Sequence, residues 1–129
     1  MDSDVLVVDD SAAIRKILQR VLRQTGMAIN AIHEAGDGQE ALDLLRSRRV
    51  DLVLTDINMP RMDGLELLAA IKGSSEWAAV PVVMITTEGG ESKVAEAVRL
   101  GAAGYVRKPF TADQIKEKLA GLVEPAVSL

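Results

Sequence analysis

The segment Val5-Leu6-Val7-Val8-Asp9-Asp10-Ser11 joins four consecutive apolar residues to two adjacent carboxylates. A short continuous apolar run is typical of a strand of a parallel sheet, which is buried on both faces. Adjacent carboxylates repel each other and lose solvation in a crevice, so they are stable where a cation compensates them or where both face water. The segment therefore predicts a buried strand that ends either at a cation site or at an exposed turn.

Short apolar runs alternate with amphipathic segments along the rest of the chain. The further predicted strands lie at residues 29–34, 52–55, 82–85 and 105–106. The first of these mixes polar and apolar residues, as an edge strand does. Predicted helices follow the N-cap residues Ser11, Asp37, Asp63 and Thr111, and a further helix ends near Gly101. The residues at 37–40 and 63–66 have the spacing of capping boxes.

This alternation predicts the fold class. Five strands alternating with five helices indicate an α/β protein with a parallel sheet covered on both faces. At 129 residues we expect one domain over residues 1–129, doubly wound with strand order 2-1-3-4-5, and no output domain. Aromatic residues are 2% of the chain and hydrophobic residues 48%, so the core is predicted to be aliphatic.

The composition also excludes several classes of function. The chain has no cysteine, which rules out disulfides and thiolate metal sites. Its net charge of −4 argues against a nucleic-acid partner. No apolar run approaches the roughly 20 residues of a membrane span, and the acidic start is unlike a signal peptide. We therefore expect a soluble, cytoplasmic monomer with no nucleic-acid or membrane partner.

Polar residues follow four of the five predicted strands. Asp9 and Asp10 follow the first strand, Asp56 the third, Thr86 the fourth and Lys108 the fifth. Because ligands of open parallel sheets bind at the carboxyl ends of the strands, we expect these side chains to converge there. Clustered carboxylates suit a hard divalent cation such as Mg²⁺. Such a cation attracts a phosphoryl group, for which a hydroxyl and an ammonium are further partners.

These motifs together closely resemble the receiver domain of two-component response regulators, most nearly its single-domain chemotaxis members. The matching residues are the pair at 9–10, TDINMP at 55–60, MDG at 62–64, Thr86, Tyr105 and KPF at 108–110. They occur in the family's order over essentially the whole chain. The resemblance implies a signalling protein rather than an enzyme, one that catalyses its own phosphorylation and dephosphorylation.

The resemblance also implies roles for individual residues. Asp56 would accept a phosphoryl group from a phosphohistidine, with Lys108 and Thr86 as the other catalytic groups. Asp10, Asp56 and the Asn58 backbone carbonyl would bind Mg²⁺, or Mn²⁺ in its place, with Asp9 acting largely through water. The Lys108–Pro109 peptide would be cis.

Signal transmission and lifetime follow from the same resemblance. Thr86 would move toward the phosphoryl group and Tyr105 would turn inward, which would remodel the face formed by the fourth helix, fifth strand and fifth helix. Asn58 and Glu88 flank the route of the attacking water and imply rapid dephosphorylation. Thr87 is larger than the small residue common at its position, so it implies slower phosphotransfer or slower hydrolysis.

The implied partners are a sensor histidine kinase of chemotaxis type and a flagellar-motor switch protein, with a phosphatase as a further partner. A phosphorelay role, with transfer to a histidine phosphotransferase, is the alternative.

Three other classes of protein fit the residues less well. An aspartate-nucleophile phosphatase would need a general acid at the position of Asn58. A flavodoxin-like electron carrier would need aromatic rings over the flavin, and this chain has almost no aromatic residues. A non-phosphorylated pseudo-receiver is disfavoured, because every position needed for the chemistry is occupied.

Overall fold

The computed structural model describes residues 3–87 and 91–122, and of residue 91 the backbone only. Glu88, which the resemblance assigns to phosphoryl lifetime, lies outside the described residues. The strands are β1 (Ser3–Val8), β2 (Ile29–Ala35), β3 (Leu52–Thr55), β4 (Val82–Thr86) and β5 (Gly104–Arg107). The helices are α1 (Ala12–Gln24), α2 (Gly38–Ser47), α3 (Gly64–Lys72), α4 (Glu91–Arg99) and α5 (Ala112–Leu119).

The strands form one parallel sheet in the order β2-β1-β3-β4-β5, which confirms the predicted fold class. The central strand β3 is buried throughout, whereas β2 at the edge is buried only at its two end residues and is partly or fully exposed between them. In register, Val8 lies opposite Thr55. The carboxyl ends of β1 and β3 therefore stop side by side, and the residues that follow them start from adjacent positions.

The two faces of the sheet have separate aliphatic cores. Leu6 and Val8 of β1 point into a core shared with α2, α3 and Ala97 of α4. Val5 and Val7 point into a second core, shared with α1 and α5. Because successive strand residues face opposite sides, one continuous apolar run supplies both cores. Within the described residues, no helix is both long and apolar enough to cross a membrane.

Helix capping fixes where several of the helices begin. The hydroxyl of Ser11 accepts a hydrogen bond from the Ile14 amide and caps α1. Reciprocal capping boxes form from Asp63 to Glu66 at α3 and from Thr111 to Gln114 at α5. Each cap satisfies backbone N–H groups of the first helical turn that have no partner inside the helix. The predicted helix starts at these positions are confirmed.

The capping box predicted at α2 forms only in part. The Asp37 carboxylate accepts from the Glu40 amide at 2.9 Å, as expected. The Glu40 carboxylate, however, accepts from the Gly36 amide at 3.2 Å rather than from Asp37. Its other oxygen lies 3.3 Å from the guanidinium of Arg61, which arrives from the loop before α3. This tertiary contact accompanies the change of partner, and local spacing does not reveal it.

Candidate functional site

Three carboxylates meet at the carboxyl ends of β1 and β3. Asp9, Asp10 and Asp56 each place one carboxylate oxygen within 4.8 Å of the others. Asp9 is 2% exposed and Asp56 9%, whereas Asp10 is exposed. The predicted convergence of these residues is therefore present. Two nearly buried negative charges this close together require a compensating positive charge.

Lys108 supplies part of that charge. Its Nζ lies 2.7 Å from Asp9 Oδ2 and 3.3 Å from Asp56 Oδ2. Burial alone would lower the pKa of Lys108, but the hydrogen bond to Asp9 and the charge of Asp56 outweigh it, so the pKa is raised. The Lys108 amide donates to the Thr86 carbonyl at 3.0 Å, which ties the residue to the end of β4. The Lys108–Pro109 peptide is cis, as expected.

Backbone packing holds Asp56 in place. Its amide donates to the Val8 carbonyl at 2.9 Å, and its Oδ1 accepts from the Ile57 amide at 2.7 Å. The start of α3 closes over this turn, where the Gly64 amide donates to the Ile57 carbonyl at 2.7 Å. A Cβ on Gly64 would lie 2.0 Å from the Asp56 carbonyl oxygen. Only glycine permits this approach, so the MDG motif serves the geometry of the site.

Asp9 is held by contacts on both its side chain and its backbone. Oδ1 accepts from the Ser11 amide at 2.9 Å, and Oδ2 accepts from Lys108. The Asp9 carbonyl accepts from Arg15 Nη1 at 2.6 Å, and Arg15 also pairs with Glu34 at 2.9 Å. This contact of Arg15 was not predicted from the sequence. Its place one turn into α1 was the only available signal.

A second arginine near the site was also missed. Arg61, in the loop between β3 and α3, donates from Nε to Asp37 Oδ2 at 2.7 Å and also bonds that oxygen through Nη2. Arg61 has a φ of 65°, which is uncommon for a residue other than glycine. The partners are 24 residues apart. Sequence spacing therefore offered no indication of the pair.

Among the described residues, three further predicted site residues lie near this end of the sheet, namely Thr86, Thr87 and Asn58. Thr86 is fully buried at the end of β4, and Thr87 after it is exposed. Asn58 is exposed in the loop that follows Asp56. Tyr105 of β5 is half-buried and packs against the core that contains Met84, its register partner. Tyr105 therefore lies two residues before the end of β5, where Arg107 pairs in register with Thr86.

The donor set fits a divalent cation. All three clustered side chains offer oxygen, the ligand atom that Mg²⁺ prefers. Three ionised carboxylates and one ammonium leave two negative charges, which one divalent ion neutralises. The exposed Asp10 keeps one side of the cluster open to water, and Mg²⁺ usually retains several waters. Receiver domains bind Mg²⁺ in an acidic pocket of this kind.

Comparison with known proteins gives a consistent result. Residues 5–120 match the response regulator receiver domain family. The chain is 41% identical to the chemotaxis protein CheY of Pseudomonas aeruginosa over 120 residues, 93% of this chain and 95% of that protein. It is 42% identical to the chemotaxis protein CheY-3 of Vibrio cholerae, over 93% of this chain and 91% of that protein.

The fold shows the same relationship. The solved structure of the chemotaxis response regulator CheY4 of Vibrio cholerae matches with a TM-score of 0.83 and 33% identity. The match covers 95% of this chain and 99% of that one. With its strand order, its acidic cluster and these relatives, the chain belongs to the response regulator receiver domain family, as a CheY-type member of two-component signalling.

Proposed function

We propose that the chain is a phosphorylation-dependent signalling switch with Asp56 as phosphoacceptor. An oxygen of the Asp56 carboxylate attacks the phosphorus of a phosphohistidine on a sensor histidine kinase. The new P–O bond forms as the P–N bond breaks, and the electron pair of that bond returns to the imidazole nitrogen. The observation that carries this proposal is the contact of Lys108 with both Asp9 and Asp56 at adjoining strand ends.

Asp10, Asp56 and the Asn58 backbone carbonyl would hold Mg²⁺ directly, and Asp9 would act largely through water. The surroundings of Asp9 support this division, because Asp9 is only 2% exposed and lies closer to Lys108 than Asp56 does, at 2.7 Å against 3.3 Å. The exposure of Asp10 leaves its carboxylate accessible to an ion. When bound, Mg²⁺ neutralises the negative charge on the transferred phosphoryl group.

Lys108 and Thr86 would bind the phosphoryl oxygens. Lys108 already lies within hydrogen-bonding distance of Asp56, so its ammonium is placed to pair with a phosphoryl oxygen attached there. Its raised pKa keeps it charged at neutral pH. The Lys108 amide bonds the Thr86 carbonyl, which places Thr86 at the same end of the sheet, and its hydroxyl would donate to a phosphoryl oxygen. Phosphoryl transfer depends mainly on such positioning and charge neutralisation.

Thr86 and Tyr105 would carry the signal to a partner-binding face formed by α4, β5 and α5. Met84 packs with Tyr105 on one face of the sheet, and Thr86, two residues further along β4, lies on that face too. A phosphoryl group adds about −1.5 to −2 charge, enough to bias two packing states that differ by a few kcal/mol. Val98 of α4 is 65% exposed and would supply apolar area for a partner.

The proposed role is chemotaxis, with a flagellar-motor switch protein as the output partner and residues 1–129 acting as a single receiver domain. The relatives at 41% and 42% identity are chemotaxis proteins, which favours this role. A phosphorelay intermediate that passes its phosphoryl group to a histidine phosphotransferase is the alternative. A pull-down with a flagellar-switch peptide, before and after phosphorylation of the chain, separates the two. A chain that signals to the motor should bind the peptide more tightly once Asp56 is phosphorylated.

The phosphoryl lifetime depends on Asn58, Thr87 and Glu88. Asn58 and Thr87 are both exposed near the site, where each would affect the path of the attacking water. We propose that Thr87 narrows this path and that Asn58 and Glu88 favour hydrolysis. A phosphatase would shorten the lifetime further.

An intact-mass time course with acetyl phosphate and Mg²⁺ tests the mechanism. We expect a single Mg²⁺-dependent phosphoryl adduct on the wild type and none on Asp56→Asn. The matched control is Asp43→Asn on the exposed side of α2, which should form the adduct normally. An equal adduct on Asp56→Asn would rule out this phosphoacceptor. Adduct decay after donor removal, compared with Thr87→Ala, measures the effect of Thr87.

A further inference from the structure

Asp37 is a buried carboxylate outside the cluster at the carboxyl ends of β1 and β3. It is 1% exposed, and its Oδ1 caps α2 through the Glu40 amide. Its Oδ2 accepts from both Nε and Nη2 of Arg61. Helix capping needs only the first of these contacts. The bond to Arg61 therefore calls for a role beyond capping.

The Asp37–Arg61 pair joins α2 to the loop that leaves Asp56. The Gly38 amide donates to the Met62 carbonyl at 3.1 Å. A Cβ on Gly38 would lie 2.5 Å from the Met62 side chain, so that side chain packs directly against the start of α2. Within the loop, the Met62 amide donates to the Pro60 carbonyl at 2.7 Å. Residues 60–62 therefore pack against the N-terminus of α2, through the Arg61–Asp37 side-chain pair and the Gly38–Met62 backbone hydrogen bond.

The loop is held at two places. The Gly64–Ile57 hydrogen bond closes its base, as described above. The Asp37–Arg61 pair and the Gly38–Met62 contact hold its tip. Asn58 lies between these two anchors, three residues before Arg61. A shift of the tip therefore changes the position of the Asn58 carbonyl relative to Asp56.

We propose that Asp37 and Arg61 are positioning residues for the cation site: they fix residues 58–62 so that the Asn58 carbonyl is preorganised to bind a divalent ion. The inference rests on the proposed function, which assigns that carbonyl to Mg²⁺. Arg61 bonds to Asp37 and Glu40 rather than to the clustered carboxylates, so its effect is transmitted through the loop. Groups that orient a metal ligand typically change affinity by about tenfold or more when removed.

Arg61→Asn is the variant that tests the proposal. Asparagine accepts a positive φ more readily than most residues, so the variant removes the guanidinium and retains the backbone conformation. The probe is MgCl2, titrated while the backbone amide NMR shifts of the protein are recorded. We expect the Mg²⁺ Kd to rise about tenfold. The Mg²⁺ concentration for half-maximal phosphorylation by acetyl phosphate should rise equally, with the rate at saturating Mg²⁺ little changed.

Arg49→Asn is the matched control. Arg49 also donates from Nε and Nη2 to one aspartate, Asp51, and its side chain is 59% exposed against 68% for Arg61. It lies before β3, at the opposite end of the sheet. Its loss should leave the Mg²⁺ Kd unchanged. A second variant, Asp37→Asn, keeps an acceptor for the cap and should weaken Mg²⁺ binding non-additively with Arg61→Asn.

The outcomes separate this inference from the proposed function. A wild type that binds Mg²⁺ and a folded Arg61→Asn variant with the same Kd would overturn the positioning role alone. A wild type without Mg²⁺-dependent shifts near Asp56 would overturn both. Should Arg61→Asn fail to fold in a urea titration, Arg61→Lys gives the same comparison, because lysine keeps the charge but lacks the two-pronged donor.

Discussion

Lys108 Nζ lies 2.7 Å from Asp9 Oδ2, although the two residues are 99 positions apart in the chain. One follows β1 and the other follows β5, and the strand order brings them to the same edge of the sheet. The Lys108 ammonium contacts carboxylate oxygens that would also attract a bound cation. Lys108 therefore both stabilises the carboxylates in the absence of an ion and competes with that ion.

Replacing Lys108 tests this dual role. In Lys108→Met we expect tighter Mg²⁺ binding, because the carboxylates lose a competing positive charge. Phosphorylation of Asp56 should slow by about tenfold or more, since a hydrogen bond to a charged group contributes about 1.5–3 kcal/mol. Mg²⁺ titration and the acetyl phosphate time course measure the two effects. Lys116→Met, on the exposed surface of α5, is the control, and unchanged affinity in Lys108→Met would contradict the competition.

Thr86→Val separates phosphorylation from signal transmission. Valine retains the shape of threonine and removes the hydroxyl, so Asp56 should still be phosphorylated to completion, although more slowly because one donor to the phosphoryl oxygens is lost. The amide NMR shifts of residues 104–107 should then respond much less to phosphorylation than in the wild type. Thr25→Val removes a buried hydroxyl that donates to the Leu22 carbonyl, far from the site, and should leave the response intact. A full response in Thr86→Val would exclude the hydroxyl from the switch.

Gly64→Ala tests the close approach of α3 to Asp56. The added Cβ would meet the Asp56 carbonyl oxygen at 2.0 Å, so the turn must move. We expect a loss of about 1–3 kcal/mol in the free energy of unfolding, as for other overpacked sites, and slower phosphorylation. Urea unfolding provides the measurement. In Gly104→Ala the nearest atom is a Val83 methyl at 3.7 Å, so that variant should lose much less stability.

Asp51 should make stability depend on pH. Burial alone raises its pKa, but hydrogen bonds from Arg49 and the Asp4 amide outweigh it, so the pKa is lowered. A carboxyl with a lowered folded-state pKa stabilises the fold above its unfolded pKa, about 3.9, and this contribution is lost as the pH falls through the folded-state value.

Asp51→Asn should therefore be less stable than the wild type at pH 7, by on the order of 1 kcal/mol. The difference should shrink as the pH falls below about 3.9. Urea titrations across this range measure it. The same substitution in an Arg49→Asn background should show a weaker pH dependence, and a difference that stays constant with pH would refute the role of the ion pair.

Local sequence was sufficient to predict most of the fold. The apolar run at residues 5–8 and the caps at Ser11, Asp63 and Thr111 each depend on neighbours within four positions. The cluster of Asp9, Asp10 and Asp56 was also predictable, because parallel strands end at one edge of the sheet.

The supporting contacts could not be predicted in this way. Arg61 reaches Asp37 only after α2 and the loop before α3 have packed together, and the partner of Glu40 changes with that contact. The requirement for glycine at position 64 also depends on tertiary packing, because it arises from the close approach of the Asp56 carbonyl oxygen. Such features come from the distance between elements, which periodicity and propensity do not encode.

The division of the core between the two faces of the sheet has a consequence for recognition. α4 packs with the layer that contains Tyr105, whereas α5 packs with α1 on the other side, through Ile115 and Leu119. A partner that contacts both helices thus spans the sheet edge at β5. Its affinity depends on the offset between two independently packed layers. A displacement of one layer by a fraction of an ångström therefore changes the shape of the composite surface without unfolding either helix.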